Sequence, residues 1–175
     1  LLTDASGSTS VTNATYNVGP EVAAGTITHD GQTVHFTGLE PIIDGTTATN
    51  LTVNGTDAAN AINYIEGPNS GTDIDGDSNN EETGLVSVDG YETIEFANKT
   101  NLIINGLAGS DEINLNDGDT TRPDGLTDIT VDAGDPTGGS DSVVVNGTTG
   151  ADTITIDQLT NDGARVTGTQ SVTVT

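Results

Sequence analysis

Five oxygen-bearing side chains stand at alternate positions in one short acidic stretch: Asp73, Asp75, Asp77, Asn79 and Glu81. Hard cations such as Ca²⁺ are held by carboxylate, amide and carbonyl oxygens, so a loop curling through this stretch would converge them on one ion. The stretch departs from the helix-flanked calcium loop: its flanks lack helical periodicity, Ser78 stands where that loop carries Gly, and Gly84 stands where it carries the bidentate Glu. Calcium is the cofactor expected here, with a solvated acidic loop as the alternative.

Other chemistry is sparse. His29 and His35 flank the Asp30-Gly31 turn and read as strand or surface histidines rather than a metal pair. Among 27 Asp and Glu residues no two are singled out as an acid and base pair for glycoside hydrolysis. The absence of Cys removes disulfides, thiolate nucleophiles and sulfur-ligated zinc. Asn-x-Thr sequons at Asn13, Asn50, Asn54, Asn98 and Asn146 are little more than so Thr-rich a chain produces. These observations point away from an enzyme.

The elements that carry these residues repeat. TNLIINGLAGSDEINL, from Thr100 to Leu115, is two runs of alternating apolar residues joined by a Gly/Asp-rich connection that opens on Asn-Gly. Period-2 alternation marks short strands with one buried face, and Asn-Gly marks a tight turn. The string occurs 51 positions earlier as TNLTVNGTDAANAIN, later as TDITVDAGDPTGGSDSVVV, and in part as NGTTGADTITI. Two further strand pairs, GTITHDGQTVHF and LVSVDGYETIEF, turn at Asp-Gly and end in Phe. The inward-facing set expected from this pattern is Leu51, Val53, Ile62, Leu102, Ile104, Ile113, Leu115, Ile129, Val131, Ile154 and Ile156, with Thr52, Thr130, Thr155 and Thr173 on the other face. No segment keeps a helical period.

The fold expected is all-β: a β-solenoid or parallel β-helix of short strands, with β-sandwich modules as the alternative. Residues 1–20, Ser/Thr/Asn-rich and weakly alternating, read as a lead-in; residues 21–175 read as the β-repeat domain, with an acidic loop at 66–84. The start at Leu1 suggests a processed chain or part of a longer one, and the closing SVTVT reads as the beginning of another repeat strand. A net charge of −24, with Lys99, Arg122 and Arg165 as the basic residues, argues against nucleic acid and anionic membrane surfaces as partners. No apolar run approaches the length of a membrane helix.

Gly106-Leu107-Ala108-Gly109-Ser110-Asp111-Glu112-Ile113-Asn114 resembles the hemolysin-type calcium-binding nonapeptide of RTX proteins, and Gly147 to Thr155 matches it at the same four places. Both lack the second Gly, and they start 41 positions apart instead of running in tandem. More loosely, residues 25–175 resemble large secreted bacterial β-repeat proteins. The resemblance implies a secreted protein and calcium ligation by Asp111 and Asp152; Asp111, Asp141 and Asp152 are equally suited to bonding nearby backbone N–H groups in their turns.

The function expected is a non-enzymatic extracellular or cell-surface structural module, adhesive or filament-forming and calcium-stabilised, that self-associates through terminal strands. A binding or spacer module of a secreted polysaccharide-active enzyme, in contact with polysaccharide, is the alternative; a β-helix enzyme acting on acidic polysaccharide suffers from the shortage of Lys and Arg.

Overall fold

The computed structural model describes residues 11–39, 41–68, 73, 81–116, 122–136, 140–158, 164–167 and 171–174. They are all-β. The strands are β1 (Val11–Val18), β2 (Ala24–His29), β3 (Gln32–Thr37), β4 (Ile42–Asp44), β5 (Ala48–Asn54), β6 (Ala61–Glu66), β7 (Gly84–Val88), β8 (Ile94–Phe96) and β9 (Lys99–Asn105). They continue as β10 (Ala108–Gly109), β11 (Glu112–Asn116), β12 (Asp128–Asp132), β13 (Asp135–Pro136), β14 (Ser142–Val145), β15 (Thr155–Gln158), β16 (Ala164–Thr167) and β17 (Ser171–Val174). A nine-stranded sheet has the order β15-β16-β17-β12-β9-β5-β1-β2-β3, a six-stranded sheet the order β14-β11-β6-β7-β8-β4, and β10 pairs with β13.

Both large sheets are mixed. The nine-stranded sheet is parallel at its centre, from β1 through β5 and β9 to β12, and there it follows the sequence repeat, so Leu51 pairs with Leu102 and Val53 with Ile104 between β5 and β9. In the other sheet Ile62 pairs with Ile113 and Tyr64 with Leu115 between β6 and β11. A parallel pair requires a long crossover between its strands, and the 51-residue repeat supplies one by running through the second sheet before returning. Leu51, Val53, Ile62, Leu102, Ile104, Ile113, Leu115, Ile129 and Val131 all join one buried cluster drawn from both sheets, as their alternation predicts.

Two antiparallel triplets, one at the edge of the nine-stranded sheet and one at the centre of the six-stranded sheet, follow one plan. In β1-β2-β3, Tyr16 stacks on Phe36 with ring centroids 5.9 Å apart; in β6-β7-β8, Tyr64 meets Phe96 at 6.3 Å. The Phe in each case pairs across the ladder with a glycine, Gly25 or Gly84. A Cβ at Gly25 would fall 2.5 Å from the Phe36 ring, and one at Gly84 2.7 Å from the Phe96 ring, so only glycine leaves room for the aromatic to lie across the strand. The turns match as well. Asp30 and Asp89 both hold positive φ, and each carboxylate accepts the backbone N–H at the start of a neighbouring strand: Asp30 those of Thr12 and Asn13, Asp89 that of Ala61.

Three expectations change. Ile154 and Ile156 are exposed, at 48% and 69%. Ile156 lies on β15, the outermost strand, and cover fades outward along its row: Val172 is fully buried, its partner Val166 half-buried, and Ile156 open. The SVTVT segment contributes β17, which is paired on both sides by β12 and β16, so it is not a bare edge. Within residues 1–20, Val11–Val18 forms β1 with Ala14 and Tyr16 fully buried, so strand structure begins inside the segment read as a lead-in.

Replacing Leu102 by Ala should therefore cost about 2–5 kcal/mol, while Ile156→Ala should stay within about 0.5 kcal/mol of the parent. Urea denaturation of the two variants measures this; equal losses would mean that β15 is covered.

Candidate functional site

The sequence-predicted ligands divide between two places. Asp75, Asp77 and Asn79 lie outside the described residues; of the acidic stretch, Asp73 is half-buried and Glu81 buried. Asp111 and Asp152 lie in the turns after β9 and β14, where their geometry is explicit.

In each such turn a side chain folds back over the glycine five positions earlier. A Cβ at Gly106 would fall 2.6 Å from Asp111 Oδ2, one at Gly147 2.6 Å from Asp152 Oδ2, and one at Gly55 2.7 Å from Asn60 Oδ1. The oxygens thus held near the main chain accept its N–H groups. Asn60 Oδ1 accepts from Thr56 N at 2.8 Å, and Asp152 Oδ2 from Thr148 N at 2.9 Å. Asp111 and Asp141 instead link the starts of neighbouring strands: Asn60 N donates to Asp111 Oδ1 at 2.8 Å and Asp111 N to Asp141 Oδ1 at 2.9 Å. Asp89 completes the corner, its two oxygens accepting from Ala61 N and Asn60 Nδ2, both at 2.7 Å.

The Gly-to-Asp spacing of the nonapeptide serves backbone hydrogen bonding within the turn at Gly147–Asp152. Three of the four oxygens that Asp89 and Asp111 present at this corner are engaged, and Asp141 Oδ1 is engaged too. Asp111 Oδ2 is the exception, being buried without a hydrogen-bond partner. Among the described residues no three His, Asp or Glu side chains converge at metal-binding distance. Burial, reinforced by the charges of Asp141 and Asp89, raises the Asp111 pKa against the lowering effect of the Asn60 N–H.

A second polar cluster has no signature in the sequence. Lys99, at the start of β9, is fully buried and donates to the carbonyls of Asp44 at 3.1 Å, Ala97 at 2.9 Å and Thr46. Its ammonium lies 3.4 Å from Asp44 Oδ1, which also accepts from the Thr46 hydroxyl at 2.6 Å and the Thr46 N–H at 3.1 Å. His29 Nε2 stands 3.1 Å from Asp44 Oδ2. Burial would raise the Asp44 pKa, but the His29 hydrogen bond, the Lys99 charge and the Thr46 hydroxyl hold it below the ordinary carboxylate range. The cluster ties the β4–β5 and β8–β9 connections together, and removing one member of such a buried pair costs about 3–5 kcal/mol. His29 thus reads as a structural partner of Asp44. Its sequence neighbourhood carried no hint, because Asp44 and Lys99 are distant along the chain.

The outer face of the nine-stranded sheet carries two columns of amides. Asn50 Nδ2 donates to Asn13 Oδ1 at 2.9 Å and Asn101 Nδ2 to Asn50 Oδ1 at 2.8 Å. Asn54 donates to Asn17 at 2.7 Å and Asn105 to Asn54 at 2.8 Å. Between the columns run Thr15, Thr52, Ile103 and Thr130. Comparison with family models, curated proteins and solved structures finds no match.

Asp111→Asn should raise the melting temperature at pH 7 in the presence of a chelator. With a raised folded-state pKa, Asp111 weakens the fold as pH climbs from the unfolded carboxylate value of about 3.9 through the folded one, and the penalty persists above it. The advantage of the variant should vanish in acid, where both states are protonated. A lower melting temperature for Asp111→Asn at neutral pH would show that the charge itself is used.

Proposed function

We propose that this chain is a non-enzymatic structural module of an extracellular or cell-surface protein, adhesive or filament-forming, built as a short β-solenoid in which repeat units 51 residues apart stack in register. The observation that carries the reading is the in-register parallel stacking of like residues, Leu51 on Leu102, Ile62 on Ile113 and Asn50 on Asn101, over strands that return through a second sheet. Such stacking makes stability a sum over neighbouring rungs and allows a chain to grow by repetition, which suits a spacer or filament. The polar side chains support the same role. Asp30, Asp89, Asp111 and Asp152 cap backbone N–H groups, and Lys99 and Asp44 lock a corner, so the groups most suited to chemistry are engaged in architecture.

Calcium belongs to this proposal at the acidic stretch. Asp73, Asp75, Asp77, Asn79 and Glu81 supply the alternating oxygens, whereas both carboxylate oxygens of Asp152 and one of Asp111 already accept hydrogen bonds, which supports a turn role for these two. Self-association through strand edges is the companion proposal: β14 and β15 end the two sheets, and Val144, Ile154 and Ile156 lie exposed beside them. The alternative of a polysaccharide-binding module loses support from the aromatics, since Tyr16, Tyr64, Phe36 and Phe96 are buried.

Melting in chelator, in millimolar calcium and in sodium chloride of matched ionic strength tests the ion. Calcium at 100 times its dissociation constant should add about 2.7 kcal/mol, an increment lost in Asp75→Ala and kept in Asp111→Ala. An identical gain from sodium chloride would reduce the effect to screening, and loss in Asp111→Ala alone would move the ion to the nonapeptide.

A further inference from the structure

The chain contains Asn-Gly at Asn54-Gly55, Asn105-Gly106 and Asn146-Gly147, the same dipeptide in the same part of the repeat. The chemistry latent in Asn-Gly is intramolecular. The glycine backbone nitrogen, once deprotonated, attacks the asparagine Cγ; the Cγ–Nδ2 bond breaks and ammonia leaves; water then opens the resulting succinimide at either carbonyl, giving aspartate or isoaspartate. Glycine places no side chain in the way of the attack. The reaction needs only water, a backbone nitrogen able to lose its proton and an asparagine side chain free to swing back onto the main chain.

The fold withholds both conditions at two of the three sites. Gly55 N donates to Asn105 O at 2.8 Å and Gly106 N to Asp132 O at 2.8 Å, so each nucleophile is held in a hydrogen bond to the next rung. The leaving amides are held as well: Asn54 Nδ2 donates to Asn17 Oδ1, and Asn105 Nδ2 to Asn54 Oδ1. To react, either side chain must leave its column while the adjacent glycine leaves the interstrand bond.

Asn146 follows β14, the edge strand of the six-stranded sheet, so among the described residues no further strand of that sheet stands where Asn105 and Asp132 hold the nitrogens of Gly55 and Gly106. Its side chain is exposed, and its Nδ2 reaches the Leu115 carbonyl at 3.5 Å, the outer limit of a hydrogen bond. We propose that Asn146 is a self-modification site of the folded protein, converting to aspartate and isoaspartate while the stacked Asn54 and Asn105 are preserved by the amide columns. The backbone bond that ends the β14 ladder, Asn146 N to Leu115 O at 2.9 Å, uses the nitrogen on the other side of the rearranged linkage. The modified chain therefore keeps its fold and gains a negative charge at this sheet edge.

The test is incubation of the full folded chain at pH 8, with site-resolved tandem mass spectrometry and isoaspartate methylation followed over time. Asn146 should convert at least about tenfold faster than Asn54 or Asn105, which react only through local opening. In urea all three should convert at comparable rates, and Asn146→Gln should abolish isoaspartate formation at position 146 in the folded chain. Conversion of Asn54 or Asn105 as fast as Asn146 in the folded chain would overturn the proposal. So would an intact Asn146 under conditions where the urea-unfolded chain converts all three.

Discussion

Parallel, in-register stacking places each residue directly against its counterpart in the next rung, and that constraint governs which residues the strands can hold. Apolar side chains gain from it, since Leu51 lies on Leu102 and Ile62 on Ile113 inside one core. Amides gain too, because an Asn carries both donor and acceptor and can bond to an identical neighbour. Carboxylates lose, because like charges placed opposite one another repel. A chain of net charge −24 can stack in this way because the outer columns of the parallel strands are filled by Asn, Thr and Ile through β1, β5 and β9, with Asp entering at β12. Many of the remaining acids cap turns, where a backbone N–H meets the charge.

The corner after β9 shows the limit of that arrangement. Asn60 and Asp111 occupy equivalent places one repeat apart, and the amide at one rung separates the carboxylates of Asp89 and Asp111 by donating to Asp89 while its backbone donates to Asp111. Asp111 and Asp141 have no such amide between them, and the Asp111 pKa is raised first by burial and further by the charges of Asp141 and Asp89. The alternation of Asn with Asp is thus the electrostatic counterpart of alternating large and small side chains in a core. At the opposite corner Lys99 solves the same problem with a cation, satisfying three carbonyls and the Asp44 charge together.

Much of the fold was legible because its strongest determinants are local. Alternation located most of the strands, the 51-residue recurrence marked equivalent strands while leaving parallel stacking and antiparallel hairpins both open, and Asn-Gly and Asp-Gly placed turns. Cover was not legible. Ile154 and Ile156 repeat the pattern of Ile113 and Leu115, yet local sequence does not say whether anything packs above them. The buried cluster of His29, Asp44 and Lys99 was hidden for a related reason: a single Lys in a polar segment looks the same whether it points to water or to three carbonyls. The turn role of Asp111 and Asp152 was half legible, since Gly and Asp at that spacing suit both an ion and a backbone cap. The structure adds what spacing alone could not: each carboxylate approaches its glycine closely and accepts a backbone N–H. The Tyr-Gly-Phe device needed the ladder register to appear, because Gly25 and Phe36 come together only through the β2–β3 hairpin.

The account depends throughout on parallel pairing between residues 51 positions apart, and solution NMR of the uniformly labelled chain tests it without altering a residue. Interstrand nuclear Overhauser contacts should link Thr52 with Ile103, Val53 with Ile104 and Asn63 with Asn114, advancing together along both strands. Contacts that advance along one strand while receding along the other, or that are displaced by even one residue, would contradict the stacking and with it the columns, the corner caps and the core.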